Sequence, residues 1–178
     1  MKEVEIKIKI NSAEQVLKQL QNKGCQFSAE IIQEDIVFIP NEIPGVPAPA
    51  GTNVLRIRKQ KDKTIFTLKQ SMKGNHLAKL EKEVEIEDSG EMAEIIRLLG
   101  YKEIAHTNKV RRKCRYGDYE ICVDRIKELG DFLEMEKMTA EDPHQVQAEM
   151  FQVLDNLGIN ITEKIDVGYD VLYFRKYN

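Results

Sequence analysis

Near its start the chain carries Glu3-Val4-Glu5-Ile6-Lys7-Ile8-Lys9-Ile10, a run that alternates strictly between charged and apolar residues. Successive side chains of a β-strand point to opposite faces, so this run predicts a strand with one charged face and one apolar face. The next residues, Ser12-Ala13-Glu14-Gln15, form a capping box, and the apolar spacing after them predicts a helix that ends at Gly24. The chain therefore begins with a strand followed by a helix.

The same order of strand, helix and glycine returns twice. The second repeat is predicted as a strand over Lys82–Glu87, a helix over Met92–Leu99 and Gly100; the third is a strand over Phe132–Met138, a helix that starts at Asp142-Pro143, and Gly158. Further strands are predicted at Leu55–Lys59, Thr64–Gln70, Lys109–Tyr116, Tyr119–Arg125 and Val171–Arg175, several of them paired as hairpins. The segment Pro40–Gly51 holds four of the five prolines and is predicted to be a surface loop.

About eight strands and three helices follow from these patterns. Most strands carry one charged face, and a closed barrel gives such faces a place because alternate residues point into its lumen. We therefore expect an α+β fold: an eight-stranded antiparallel β-barrel or tunnel with helices packed outside. A chain of 178 residues suits one domain, so residues 1–178 are expected to form a single domain.

The charged faces are unusual because like charges recur two residues apart. Three acidic pairs of this kind stand at Glu3 and Glu5, at Glu83 and Glu85, and at Glu134 and Glu136. One explanation is a solvated face of an antiparallel sheet. The other is a ligand that compensates the clustering, since paired carboxylates suit Mg²⁺ or Mn²⁺ and rows of Arg and Lys suit phosphate oxygens. The repetition favours a lumen that binds a metal-bound polyphosphate.

Composition limits the partners and the compartment. The 27 basic and 30 acidic side chains leave a net charge of −3, which indicates neither a nucleic-acid partner nor a membrane partner. The three cysteines, Cys25, Cys114 and Cys122, have no zinc-type spacing and are expected to be small buried side chains. We expect a cytoplasmic protein whose partner is a small-molecule triphosphate, and a homodimer is left open as its oligomeric state.

Taken in order, the charged motifs resemble the CYTH family, the triphosphate tunnel metalloenzymes. The motifs that carry the resemblance are Glu3-Val4-Glu5-Ile6-Lys7, Leu55-Arg56-Ile57-Arg58, Thr67-Leu68-Lys69, Glu83-Val84-Glu85, Lys109-Val110-Arg111-Arg112, Val123-Asp124 and Leu129-Gly130-Asp131-Phe132-Leu133-Glu134-Met135-Glu136. The last of these is most similar to the class IV adenylyl cyclase branch. Two positions depart from the family pattern, which often has Tyr where Val37 stands and Ser where Gly168 stands.

The resemblance implies roles for two sets of residues. The phosphate-binding set is Lys7, Arg56, Arg58, Lys69, Lys109 and Arg111, and the set that serves Mg²⁺ or Mn²⁺ is Glu3, Glu5, Asp124, Glu134 and Glu136. The roles of Glu83 and Glu85 stay open. The function so implied is class IV adenylyl cyclase-like, converting ATP to cyclic AMP and pyrophosphate. The alternatives are a triphosphatase acting on inorganic or organic triphosphates, and a non-catalytic sensor of polyphosphate or nucleotide.

Overall fold

The computed structural model describes the backbone of residues 2–72 and 75–178 and the side chains of residues 3–71 and 80–178. Within these residues the chain forms nine strands and four helices. In chain order they are β1 (Lys2–Lys9), α1 (Ala13–Asn22), β2 (Ile31–Pro40), β3 (Val54–Gln60), β4 (Lys63–Met72), β5 (Asn75–Ile86), α2 (Ser89–Leu98), β6 (Tyr101–Tyr116), β7 (Tyr119–Ile126), β8 (Gly130–Thr139), α3 (Pro143–Asn156), β9 (Glu163–Ile165) and α4 (Tyr169–Tyr177).

The chain divides into two compact units. The first unit comprises residues 2–31, 110–126 and 130–166; the second comprises residues 32–72, 75–109, 127–129 and 167–178. The strand order is β6-β7-β8-β1-β9 in the first unit and β5-β4-β3-β2-β6 in the second, because the long strand β6 contributes to both. The pairs β1–β8, β7–β8, β2–β3, β3–β4 and β4–β5 are all antiparallel.

The core of the first unit lies between the apolar face of its sheet and helices α1 and α3. Ile6 and Leu133 are fully buried there against Leu20 of α1 and Met150 of α3. Both helices begin at side-chain caps, as their sequences predict, and the caps are Ser12 and Asp142.

Asp131 of β8 gives α1 a second cap. Its carboxylate accepts a hydrogen bond from the Ala13 backbone N–H at 2.7 Å, and its carbonyl accepts one from the Ile10 N–H at 3.1 Å. The two bonds fasten the start of α1 and the end of β1 to the start of β8. A carboxylate at this place also suits the positive end of the helix dipole.

The second unit has two separate apolar contacts. Ile96 of α2 packs with Phe38 and Ile57 on one side of its sheet. On the other side, Tyr173 and Phe174 of α4 pack against a cluster that includes Val37, Ile39, Ile104 and Ala105. Each contact removes several large apolar side chains from water, and each fully buried side chain stabilises the fold by roughly 1.5–3 kcal/mol.

The antiparallel α+β class is confirmed, with nine strands where eight were expected. The prediction of a strand over Val171–Arg175 is wrong, since the segment lies in α4. There Val171 and Phe174 are three residues apart, which suits one helix face, and Asp170 lies in the first turn, where an acidic side chain is favourable. Strands β2 and β9 were not predicted. Closure into a barrel and a single domain over residues 1–178 stay predictions.

Among the described residues, no helix is both long and apolar enough to cross a membrane.

Candidate functional site

Strands β1, β8 and β7 of the first unit bring their charged faces together. Antiparallel pairing sets Glu136 opposite both Glu5 on β1 and Glu120 on β7. One step along β8, Glu134 lies opposite Lys7 and Cys122. The predicted residues of this unit, together called the acidic cluster below, are Glu3, Glu5, Lys7, Arg111, Asp124, Glu134 and Glu136.

Burial distinguishes a solvated sheet face from an enclosed polar site. Lys7 is 2% exposed, Glu134 is 5% exposed and Asp124 is 0% exposed. Acidic and basic side chains are almost never buried this far unless they are paired. These residues therefore do not form a wet surface, and each must find its partner inside the protein.

Lys7 is held between two carboxylates. Its Nζ lies 3.2 Å from Glu5 Oε1 and 3.1 Å from Glu134 Oε1. Burial by itself would favour the neutral amine, but the two carboxylates outweigh it and raise the pKa of Lys7 above its ordinary value. Lys7 is therefore a positive charge at neutral pH.

Arg111 is the second cation of the acidic cluster. Its guanidinium donates two parallel hydrogen bonds to Asp124, at 2.7 and 2.6 Å, and a further one to Glu134. Its Nη1 also lies 3.8 Å from Glu136 Oε1. Burial opposes the charge, yet Glu134 and Asp124 raise the pKa of Arg111 well above its ordinary value. A bidentate pair of this kind fixes the guanidinium in position.

Carboxylates outnumber cations in the acidic cluster, five to two. Glu136 shows the effect most clearly: burial and the nearby Glu134 raise its pKa from 4.5 to about 8, and Glu3 and Glu5 act in the same direction. Arg111 opposes this rise without cancelling it. A divalent cation would remove the repulsion, and oxygen ligands are those that Mg²⁺ and Mn²⁺ prefer. The residues present therefore fit such a metal.

The cluster extends to two residues that no motif marked as ligands. Ligand atoms of Glu120, Cys122 and Glu136 all lie within 4.8 Å of one another, and Glu120 also accepts a hydrogen bond from Lys113 Nζ at 2.6 Å. Cys114 belongs to the apolar cluster of the first unit, whereas Cys122 is fully buried on the face of β7 that carries Glu120 and Asp124. Alternation along β7 was the available signal, since Glu120, Cys122 and Asp124 share one face.

Arg56, on β3, is one of the predicted cations of the second unit. Its Nη2 donates to Thr67 at 3.1 Å and to Glu83 at 3.0 Å, and it lies 4.0 Å from Glu81. Its Nε is buried without a hydrogen-bond partner among the described residues. Burial, with Arg58 nearby, lowers the pKa of Arg56. The group thus has a donor left over and an environment that an anion would improve.

Two more cations of this unit are paired with carboxylates. Arg58 donates two hydrogen bonds to Asp35, both 2.7 Å long, and Lys69 donates one to Glu81 at 2.7 Å. Although burial acts against ionisation, Arg58 holds the pKa of Asp35 well below its usual range. With Arg56 and Lys109, these cations are called the basic cluster below.

The eleven predicted site residues divide between the two units. Arg56, Arg58, Lys69 and Lys109 lie in the second unit, and the remaining seven lie in the first. Asp35 and Glu81 were missed as partners of the predicted cations. Glu83 contacts Arg56, whereas Glu85 forms an exposed pair with Lys63. The functional roles of these two residues stay open.

Known proteins share both the sequence pattern and the fold. A relative from Methanocaldococcus jannaschii, "Putative adenylate cyclase MJ0240", is 34% identical over 175 residues, covering 95% of this chain and 97% of that protein. The structure of PH1012 from Pyrococcus horikoshii is 25% identical, with a TM-score of 0.79 and coverage of 94% and 97% of the two chains.

A third structure is of a Hippeastrum protein, "Putative adenylyl cyclase HpAC1", described as having a dominant triphosphatase activity. It is 18% identical, with a TM-score of 0.66 over 99% of this chain and 96% of that one, so it supports the fold alone. The CYTH domain model matches residues 1–169, nearly the whole chain. The chain therefore belongs to the CYTH domain family.

Proposed function

We propose that the protein is a divalent-metal-dependent enzyme that converts ATP to cyclic AMP and pyrophosphate. The observation that carries the metal requirement is the buried excess of carboxylates in the acidic cluster. Membership of the CYTH family supports a triphosphate substrate. The name of the 34% identical relative supports the cyclase reaction.

Glu3, Glu5, Asp124, Glu134 and Glu136 would hold Mg²⁺ or Mn²⁺. Bound there, the ion would neutralise phosphate charge and acidify an attacking hydroxyl group. Lys7 and Arg111 would keep these carboxylates in place, because each already bridges two or more of them. The cluster would thus be ordered before the metal arrives.

The basic cluster would bind phosphate oxygens. Arg56 is the strongest candidate because its buried Nε has no hydrogen-bond partner among the described groups, and a phosphate oxygen would give it one. Lys69 and Arg58 would have to share their protons between their present carboxylate partners and the substrate. Arginine suits this task because its planar donors match phosphate geometry.

In the cyclase reaction, the ribose 3′-hydroxyl oxygen attacks the α-phosphorus. The bond from the α-phosphorus to the bridging oxygen breaks, pyrophosphate leaves with that electron pair, and the hydroxyl proton passes to a base. We assign the base to a carboxylate of the acidic cluster, since its five carboxylates are the proton acceptors among the predicted site residues. The contribution of the protein is then mainly positioning and electrostatics.

The second candidate is a triphosphatase, because the same charged residues would serve hydrolysis equally well; the Hippeastrum protein of similar fold is described as having this activity. Water would then attack the terminal phosphorus with the same charged residues around it. A non-catalytic sensor is disfavoured because an anion-binding site gains nothing from five carboxylates.

The two reactions differ in their products. Purified protein would be incubated with ATP and Mn²⁺ or Mg²⁺, and cyclic AMP, pyrophosphate, ADP and phosphate would be resolved by chromatography. We expect cyclic AMP and pyrophosphate in equal amounts; ADP and phosphate without cyclic AMP would establish the triphosphatase instead. The matched variants are a Glu134→Gln, Glu136→Gln double substitution, expected to be nearly inactive, and Glu163→Gln at an exposed site of the same unit. Full turnover in excess EDTA would refute the metal requirement.

A further inference from the structure

The helix α4 brings an aromatic ring to one cation of the basic cluster. Lys109 Nζ lies 5.3 Å from the centroid of the Tyr169 ring, which is within the range of a cation–π interaction. Lys109 is buried, so water screens this attraction only weakly. We propose that Tyr169 is a positioning residue, whose ring holds the Lys109 ammonium group in place to bind a phosphate of the substrate. The proposal rests on the phosphate-binding role given to Lys109 above.

The ring is itself held firmly. Tyr169 is the first residue of α4, and Tyr173 and Phe174 of the same helix pack against Ile104 and Ala105 of β6, the strand that carries Lys109. The far end of α4 is fastened too, since Lys176 Nζ donates to the Glu128 carbonyl at 2.6 Å and the Tyr177 hydroxyl donates to it at 3.3 Å. A ring on a helix anchored in this way has little freedom to move.

An aromatic partner differs chemically from the carboxylate partners of Arg58 and Lys69. A carboxylate fixes a cation but competes with phosphate for its protons and adds a negative charge that repels the substrate. The face of a tyrosine ring attracts an ammonium group through its quadrupole and adds no net charge. The Tyr169 ring can therefore orient Lys109 without weakening its attraction for an anion.

Lys109 belongs electrostatically with the rest of the basic cluster. Burial acts against ionisation of Asp35, and the cations that outweigh it and keep its pKa low are Arg58 first, then Lys109 and Arg56. The ammonium group held by Tyr169 is therefore close enough to act on the Arg58–Asp35 pair. A phosphate bound by Arg56 or Arg58 would therefore also be attracted by the Lys109 ammonium group.

A packing role for Tyr169 predicts something different. If the ring only fills space, its loss lowers the stability of the second unit and leaves substrate affinity unchanged in the folded molecules. If it positions Lys109, affinity falls, a phenylalanine at this position restores it, and the effect disappears once Lys109 itself is replaced.

The test measures binding of inorganic tripolyphosphate by calorimetry, in EDTA, to the full chain. The variants are Tyr169→Leu, Tyr169→Phe, Lys109→Met and the Tyr169→Leu, Lys109→Met double substitution; Tyr173→Leu on the same helix is the matched packing control. We expect Tyr169→Leu to weaken binding about five- to thirtyfold, the range that a desolvated cation–π interaction supports. Tyr169→Phe should bind like the wild type, and the double variant should bind like Lys109→Met alone.

Each outcome bears on one claim. Wild-type protein that binds tripolyphosphate neither in EDTA nor with Mn²⁺ refutes the proposed function; if it binds only with Mn²⁺, all variants are compared with Mn²⁺ present. Unchanged affinity in Tyr169→Leu, or additive effects in the double variant, refutes the role of Tyr169. Should Tyr169→Leu fold poorly, the ¹H–¹³C signal of the Lys109 ε-methylene gives a second measurement on the wild type and Tyr169→Phe. We expect that signal to be shifted upfield by the ring in both, and a random-coil position would overturn the proposal. A kinetic check follows the same logic: KM for ATP should rise in Tyr169→Leu more than kcat falls.

Discussion

Glu136→Gln should make the metal-free protein more stable, and the gain should grow with pH. The pKa of Glu136 is raised from 4.5 to about 8, first by burial and then by Glu134. The folded protein therefore holds a proton on Glu136 that the unfolded chain has already released. Between these two pH values the wild type loses stability as pH rises, by up to about 1.4 kcal/mol for each pH unit.

Glutamine keeps the shape of the protonated acid but never carries the charge. Once the pH exceeds about 8, the full penalty on Glu136 is present in the wild type, on the order of 3–5 kcal/mol, and Glu136→Gln removes it. Near pH 5 the penalty is small, so the variant and the wild type should then have similar free energies of unfolding. Arg111 loses little in the variant because Asp124 and Glu134 remain its partners.

The assay is urea unfolding of both proteins in EDTA at about pH 5 and about pH 8.5, the two sides of the window in which Glu136 titrates differently in the folded and unfolded chains. Glu163→Gln, at an exposed position of the first unit, is the control. Added Mn²⁺ should then raise the melting temperature of the wild type more than that of Glu136→Gln, since the variant has lost one ligand. A stability difference between variant and wild type that does not change with pH would refute the reasoning.

Lys7→Met should destabilise the protein at neutral pH by on the order of 3–5 kcal/mol, because Glu5 and Glu134 would stay buried without their shared cation. Denaturant unfolding measures the loss, which should shrink at acid pH, where the carboxylates are protonated. An equal loss at neutral and acid pH would contradict the prediction. Arg56→Ala should weaken tripolyphosphate binding in calorimetry by about 1.5–3 kcal/mol, whereas the exposed control Lys127→Ala should not; unchanged affinity would remove Arg56 from the phosphate-binding set. Asp35→Asn should lower the free energy of unfolding at pH 7 by about 2–3 kcal/mol, since it breaks a bidentate pair with Arg58. Asp35 contributes its full stability above its ordinary pKa, and that contribution is lost as pH falls through the lowered pKa of the folded state. An Asp35→Asn variant with the same free energy of unfolding as the wild type at pH 7 would argue against the Asp35–Arg58 pair.

Sequence alone predicted much of the fold because the patterns involved are local. The alternation of β1 and the caps at Ser12 and Asp142 depend only on nearby residues, and the structure has each of them in place. Strand β2 was missed since its middle, Gln33-Glu34-Asp35, interrupts an apolar run and breaks the alternation. Helix α4 was missed because its nine residues are compatible with both the two-residue repeat of a strand and the 3.6-residue repeat of a helix.

For the candidate site, the sequence indicated which residues share a strand face but not which residues pair across the sheet. Alternation shows which face of a strand a side chain occupies, whereas the partner across the sheet depends on register, which distant residues set. The sequence therefore did not show which carboxylates pair with Arg111. In the structure Arg111 neutralises Asp124 and Glu134, so its removal is expected to cost stability, unlike that of Arg56, whose partner Glu83 is half exposed.

Asp131 lies between Gly130 and Phe132, inside the motif that is most similar to the class IV adenylyl cyclase branch, yet its contacts are structural. Its bonds to Ala13 and Ile10 tie the first turn of α1 to β8, and its ion pair is with the exposed Arg125 rather than with a residue of either cluster. This motif thus contains both a residue that holds the fold together, Asp131, and residues of the candidate site, Glu134 and Glu136. Loss of activity in an Asp131 variant would therefore reflect the number of folded molecules rather than the turnover rate of each one. Activity normalised to the folded fraction separates these two effects.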